Sequence, residues 1–114
     1  MRPIPRSLAQ QMEADPYYKK CVRNSEGNCA GRITWEHAFI YAGRQINEIW
    51  AIIPLCAFHH GVDFYQDCGD LKKDLNEYIA LSRATPEDLA KYPRTNWAQK
   101  LRYLSEKYLH YGKR

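Results

Sequence analysis

The sequence predicts a small α+β domain stapled by a metal, and three observations predict it. Two short stretches, Gly31–His37 and Glu48–Leu55, are rich in β-branched and aromatic residues. Segments with helical spacing lie on both sides of them. All four cysteines and three of the four histidines fall between positions 21 and 68. With 114 residues, 45% of them hydrophobic and 26% charged, the chain matches one globular core and is unlike a disordered or fibrous protein.

The first twenty residues carry three prolines and read as an N-terminal arm with a helix over Ser7–Ala14, stopped by Asp15-Pro16. Cys21 to Cys29 is polar, with Gly27 and Asn28, as in a tight loop. Ile33, Thr34 and Trp35 then make a strand ending at Glu36-His37. A loop around Gly43 leads to the second strand, where Pro54 demands an edge or a terminal position. From Asp70 to Leu81 the residues Leu71, Leu75, Tyr78 and Ile79 share one helical face. Thr85-Pro86-Glu87-Asp88 joins a cap, a first-turn proline and acids at the positive end of a short helix, which Tyr92-Pro93 closes. Asn96 or Thr95 caps a last helix in which Trp97, Leu101, Leu104 and Tyr108 recur as its core-facing stripe. The expected division of a single domain over 1–114 is an arm (1–20), a core carrying the metal (21–82) and basic C-terminal helices (83–114).

No apolar run approaches the roughly 20 residues of a membrane span, the longest being Trp50–Leu55. The N-terminal Met1-Arg-Pro-Ile-Pro-Arg6 has no apolar stretch of a signal peptide, so a cytoplasmic protein is expected. In a reducing compartment four cysteines point to metal before disulfide. The net charge of +4 is unevenly spread: +3 over residues 1–32, −5 over 33–90 and +6 over 91–114. An acidic centre between basic ends suits a cation-binding site flanked by phosphate-contacting arms. A solvated lysine-rich helix would give the same totals.

Cys56-Ala-Phe-His59 has the two-residue spacing of a zinc knuckle. Cys21 and Cys29 are separated by a wider seven residues, with Gly27 available to fold the loop back. Cys21, Cys29, Cys56 and His59 therefore form a candidate closed Cys3His zinc set, structural because no position is left for water. Cys68 is the rival ligand, replacing His59 or Cys21, and otherwise a spare thiol. A second cluster joins Glu36 and His37 at the end of the first strand to His60, immediately after the knuckle. His60 competes with His59 for the zinc.

Two cysteines, then Trp35-Glu36-His37, a gap, and a strand running into Leu55-Cys56-Ala-Phe-His59-His60 resemble the HNH nucleases, members of the ββα-metal (His-Me finger) group. The likeness covers residues 21–60, about a third of the chain, and is nearest to small phage- or prophage-type members. It implies an α+β ββα-metal core, zinc-stapled and flanked by N- and C-terminal helices. It further implies that His37 is the general base that activates water, and that Glu36 and His60 hold one divalent cation, Mg²⁺ or Mn²⁺. Glu36 stands where the family has Asp, and His59 where it has a second knuckle Cys. The family's middle Asn falls near Ala51 by spacing, leaving Asn47 and Asn76 as candidates. The activity implied is endonucleolytic hydrolysis of DNA in a bacterial or phage-infected cell. A homodimer, or a phage or host recombination or packaging partner, is compatible with it.

Elementary chemistry points the same way. Phosphodiester hydrolysis needs a nucleophile near neutral pH and neutralisation of charge on the phosphate, which a neutral imidazole and a carboxylate-held divalent ion supply. Arg44, between the strands, and Lys91, Arg94, Lys100, Arg102, Lys107, Lys113 and Arg114, in the basic segment, are candidate phosphate contacts without base reading. Two other classes compete. A zinc-binding nucleic-acid or protein adaptor would use the same scaffold without turnover. A zinc hydrolase of small molecules would need an open zinc position, which the full Cys3His set denies.

Overall fold

The computed structural model describes residues 4–111; Lys113 and Arg114 lie outside the described residues. The described residues form a mixed α+β structure of five α-helices, α1 (Arg6–Ala14), α2 (Ala57–His60), α3 (Lys73–Leu81), α4 (Pro86–Ala90) and α5 (Trp97–Lys107), and two small antiparallel sheets. The first sheet pairs β1 (Ile33–His37) with β4 (Ile52–Cys56). The second pairs β2 (Ile40–Tyr41) with β3 (Arg44–Gln45). Among the described residues no helix is long and apolar enough to cross a membrane.

The pairing of β1 with β4 sets the frame of the site. Ile33 faces Cys56, Trp35 faces Pro54 and His37 faces Ile52. All of β4 is buried, while β1 is only partly so. Pro54 sits at mid-strand because β4 has one sheet partner, and its carbonyl is taken by the Val22 N–H at 3.0 Å. The second strand is therefore later than its composition suggests: Ile49–Ala51 is a 3₁₀ turn and pairing begins at Ile52. Trp50 and Ala51, strand-like by residue type, instead drop into the core from that turn.

One apolar cluster joins β4, the Trp50 turn, α3 and α5 through Phe39, Trp50, Ile53, Leu55, Ala80, Leu81 and Leu104. Edge-to-face contacts link Phe39, Trp50 and Trp97. A smaller cluster of Leu8, Met12, Tyr18 and Ile52 clamps the N-terminal arm onto the other side, with the Tyr18 hydroxyl set between the carbonyls of Ile49 and Ile52, its one hydrogen shared by the two.

The helix ends follow their sequence signals where a cap exists. Thr85 and Asp88 form a reciprocal capping box, and the Asn96 side chain accepts the Gln99 N–H. Helix α3 has no side-chain cap and starts at Lys73 rather than Asp70, so Leu71 lies outside it and is 38% exposed. Leu101 is likewise not in the core: α5 turns Trp97, Lys100 and Leu104 toward the domain, and Leu101, at the margin of that stripe, is 42% exposed. The loop around Gly43 is a tight hairpin, with Ala42 and Gly43 both at positive φ (51° and 77°) as a primed turn requires.

Candidate metal and catalytic site

Cys21, Cys29, Cys56 and His59 come together in one cluster, close enough to hold a metal ion. The His59 Nδ1 lies 3.4 Å from Cys21 Sγ, 3.6 Å from Cys29 Sγ and 3.3 Å from Cys56 Sγ. A tetrahedral zinc with ordinary Zn–S and Zn–N bonds separates such a nitrogen and sulfur by about 3.6 Å. Three soft thiolate donors and one imidazole are also the donor set that zinc prefers, so geometry and chemistry both fit a structural zinc. The wide Cys21–Cys29 spacing closes because Gly31 (φ +84°) lets the loop lie on α2: a Cβ there would stand 2.6 Å from Ala57 Cβ. Cys68 takes no part. It is exposed and hydrogen-bonds only weakly, at 3.9 Å, to the Phe64 carbonyl.

The surroundings prepare these ligands. Burial, then the neighbouring Arg23 guanidinium, pushes the His59 imidazole below its ordinary pKa and keeps it neutral. At Cys56 burial acts upward, but the His59 and Ala30 backbone N–H groups outweigh it and lower the thiol. Burial and then the Cys21 sulfur push Cys29 up to about 12, so the sulfurs resist ionising together until a cation joins them. Arg23 itself is wholly buried. It forks onto Glu26 at 2.7 and 2.8 Å, meets the Asp70 carboxylate at 2.8 Å and donates to the carbonyls of His59 and Asp70. Glu26, His59 and Asp70 also stand close together, but Arg23 already pairs with both carboxylates, and Lys72 adds a second cation to Asp70 at 3.6 Å. This guanidinium ties the cysteine loop to α2, and its residue type gave no sign of it.

Successive residues of α2 turn to different sides, so while His59 faces the sulfurs, His60 faces β1. Its Nε2 lies 2.8 Å from Glu36 Oε2 and its Nδ1 lies 2.5 Å from Thr34 Oγ1. Thr34 and Glu36, two residues apart, share this face of the strand. The Thr34 hydroxyl has one hydrogen, and it is donated to the Leu55 carbonyl at 2.8 Å. Oγ1 therefore accepts from His60 Nδ1–H, which turns Nε2 toward the Glu36 carboxylate. Neighbouring ligands of an octahedral ion with bonds of 2.0–2.1 Å are separated by about 2.9 Å, and the 2.8 Å between Nε2 and Oε2 is equally the length of a charge-assisted hydrogen bond. Thr34 is a site residue that β propensity conceals, since its type already suits a strand.

His37 ends β1, and its Nε2 lies 2.6 Å from Asn47 Oδ1. An amide oxygen only accepts, so Nε2 carries a proton, and in the neutral ring the lone pair is then on Nδ1. Of the candidates for the middle asparagine, Asn47 is thus the one that touches His37. Ala51 is fully buried in the turn before β4, and Asn76 lies on α3. Glu36 and His37 both line a cleft of about 410 Å³ whose opposite wall is formed by Lys73, Asn76 and Glu77 of α3 and by Trp97 and Lys100 of α5.

The candidate phosphate contacts divide into two groups. Lys91, Lys100 and Lys107 are drawn onto acids of the central segment, Glu48, Glu77 and Asp74. Arg44, Arg94 and Arg102 are exposed, and among the described residues their side chains make no ion pair. His110 is exposed. No family model, curated protein or solved structure matches this chain.

Proposed function

We propose that the chain is a metal-dependent endonuclease of the HNH (ββα-metal) type that hydrolyses phosphodiester bonds in DNA. The observation that carries this reading is the linked set Thr34–His60–Glu36, beside a His37 whose tautomer is set by Asn47. One strand thereby offers a carboxylate–imidazole pair for a hard cation and an imidazole with a free lone pair. A divalent ion, Mg²⁺ or Mn²⁺, supplies charge neutralisation at the phosphate and at the leaving oxygen.

The protein's own residues do the rest. His37 Nδ1 takes a proton from the attacking water, while Asn47 holds the ring and stabilises the charge it gains. Thr34 orients His60, and through it the nitrogen that meets Glu36. The Cys3His cluster keeps α2 on the hairpin, so that these side chains stay in register. Lys73, on the facing wall, brings a positive charge to the phosphate.

The reading is tested by incubating plasmid and single-stranded DNA with the zinc-loaded protein and Mg²⁺ or Mn²⁺, alongside Glu36→Ala and His60→Ala. Metal-dependent cutting that both variants lose by about a hundredfold or more supports it. Tight DNA binding with no cutting under any metal would assign the chain to the adaptor class instead.

A further inference from the structure

Three residues of the Cys3His cluster, Cys21, Cys56 and His59, are buried, whereas Cys29 is exposed. Gly27 and Asn28, both at positive φ (81° and 64°), turn the chain into Cys29. A surface depression of about 420 Å³ is lined by Cys29 together with Cys21, Cys56, Lys19 and Lys20, so small molecules reach this side of the cluster. Both lysines are exposed and make no ion pair among the described residues, which leaves the depression electropositive. Reactive sulfurs occupy such surroundings, partly exposed and beside cations, while buried structural ones are inert. The ligand atoms of the cluster all lie within 4.8 Å of one another. Cys29 Sγ therefore needs to close by less than about 3 Å on Cys21 or Cys56 to reach the S–S length of a disulfide. Cys68 is also exposed but lies outside the cluster.

We infer that Cys29 is a site of reversible oxidation by hydroperoxides, through which the cluster exchanges its zinc for a disulfide. A sulfur that ligates a cation is held as thiolate, the nucleophilic form. The Cys29 sulfur attacks one oxygen of hydrogen peroxide: the S–O bond forms, the O–O bond breaks, and the leaving hydroxide is protonated to water. The sulfur is oxidised by two electrons to a sulfenic acid and the peroxide is reduced. Cys21 or Cys56 then attacks the Cys29 sulfur, forming the S–S bond while the S–O bond breaks and a second hydroxide leaves as water. Two thiols and one peroxide give one disulfide and two waters, and a thiol reductant reverses the change. With two sulfur donors joined to each other, the cluster no longer holds its ion. Cys56 caps α2 and His59 lies within it, so the release also unlatches the helix that carries His60. That last consequence rests on the nuclease reading; the oxidation and the release of zinc do not.

The test treats zinc-loaded Cys68→Ser protein, which lacks the other exposed thiol, with hydrogen peroxide. A chromogenic chelator reads the free zinc and peptide mass mapping reads the sulfurs. The expected result is release of the bound zinc together with a disulfide that joins Cys29 to Cys21 or Cys56, both undone by dithiothreitol and added zinc. Cys29→His keeps a zinc donor at the position and removes the exposed sulfur, so in the same background its release is expected to be about tenfold slower. If that variant takes up no zinc, the mapped partner of Cys29 in the parent protein decides. Zinc retained in excess peroxide, release with Cys29 still a thiol, or equal rates from Cys29→His and its parent overturns the inference. Parent protein that takes up no zinc overturns it together with the ligand set. Peroxide-driven release from a protein that cuts no DNA upholds the inference and removes the nuclease.

Discussion

His37 Nε2 and Asn47 Oδ1 are 2.6 Å apart, across ten positions of sequence that include the whole β2–β3 hairpin. The small hairpin returns the chain to the end of β1, and the asparagine arrives where the histidine needs an acceptor. Asn47→Ala removes that acceptor and frees the ring to take the wrong tautomer. The expected outcome is a fall in kcat of about 10- to 100-fold with KM nearly unchanged. Asn47→Asp, which keeps an acceptor oxygen, is expected to retain more activity than the alanine variant.

Thr34→Val keeps the size and β propensity of the residue and deletes only the hydroxyl that orders His60. If Thr34 aims His60, Mn²⁺ affinity measured by calorimetry on zinc-loaded protein drops by about 10- to 100-fold. Zinc content stays at one per chain. An unchanged Mn²⁺ affinity would remove Thr34 from the site.

The Cys3His cluster staples a loop to a four-residue helix too short to persist alone. Cys56→Ser, or a strong chelator, is therefore expected to release the zinc and abolish cooperative thermal unfolding. Cys68→Ser, at an exposed position away from the cluster, leaves both zinc content and melting temperature as they are. Zinc retained in full by Cys56→Ser would contradict the ligand set.

Glu26 is held down to about 2 from an ordinary 4.5, first by its hydrogen bonds with Arg23. A carboxyl depressed on folding stabilises the protein above its unfolded pKa, and the contribution is lost as pH falls from about 4.5 toward 2. Solvent reaches part of this carboxylate, which discounts the effect at neutral pH to about 1–2 kcal/mol. Glu26→Gln is expected to be less stable than wild type by that order at pH 7 in urea unfolding, with the difference shrinking below pH 4.5. A constant difference across that range would contradict the assignment.

The elements legible in the sequence are those whose signals are local. The β-formers of β1, the capping box of α4 and the Asn96 cap of α5 each state their structure within a few residues. The pairing of Cys56 with His59 is equally local. What stayed hidden depends on distant partners. The β2–β3 hairpin lacks the usual Asn-Gly signal and places Ala42 at positive φ, so only its tertiary setting shows it. Arg23 lies in the polar Cys21–Cys29 loop, and its role shows only when Glu26 and Asp70 are seen around it. Thr34 is indistinguishable from any strand threonine until His60 is brought alongside. Leu101 illustrates the opposite error: helical spacing identifies a face, but only the neighbouring surface decides how wide a stripe is covered.

The central claim is that His37 is the base of a metal-dependent phosphodiester hydrolysis. The most direct measurement is single-turnover cleavage of supercoiled plasmid and single-stranded DNA with saturating Mn²⁺, comparing wild type with His37→Ala at matched zinc content. The account predicts that the variant binds DNA as wild type does and cuts at least a hundredfold more slowly, on the order of the contribution of a positioned general base. Equal rates from the two proteins would contradict it.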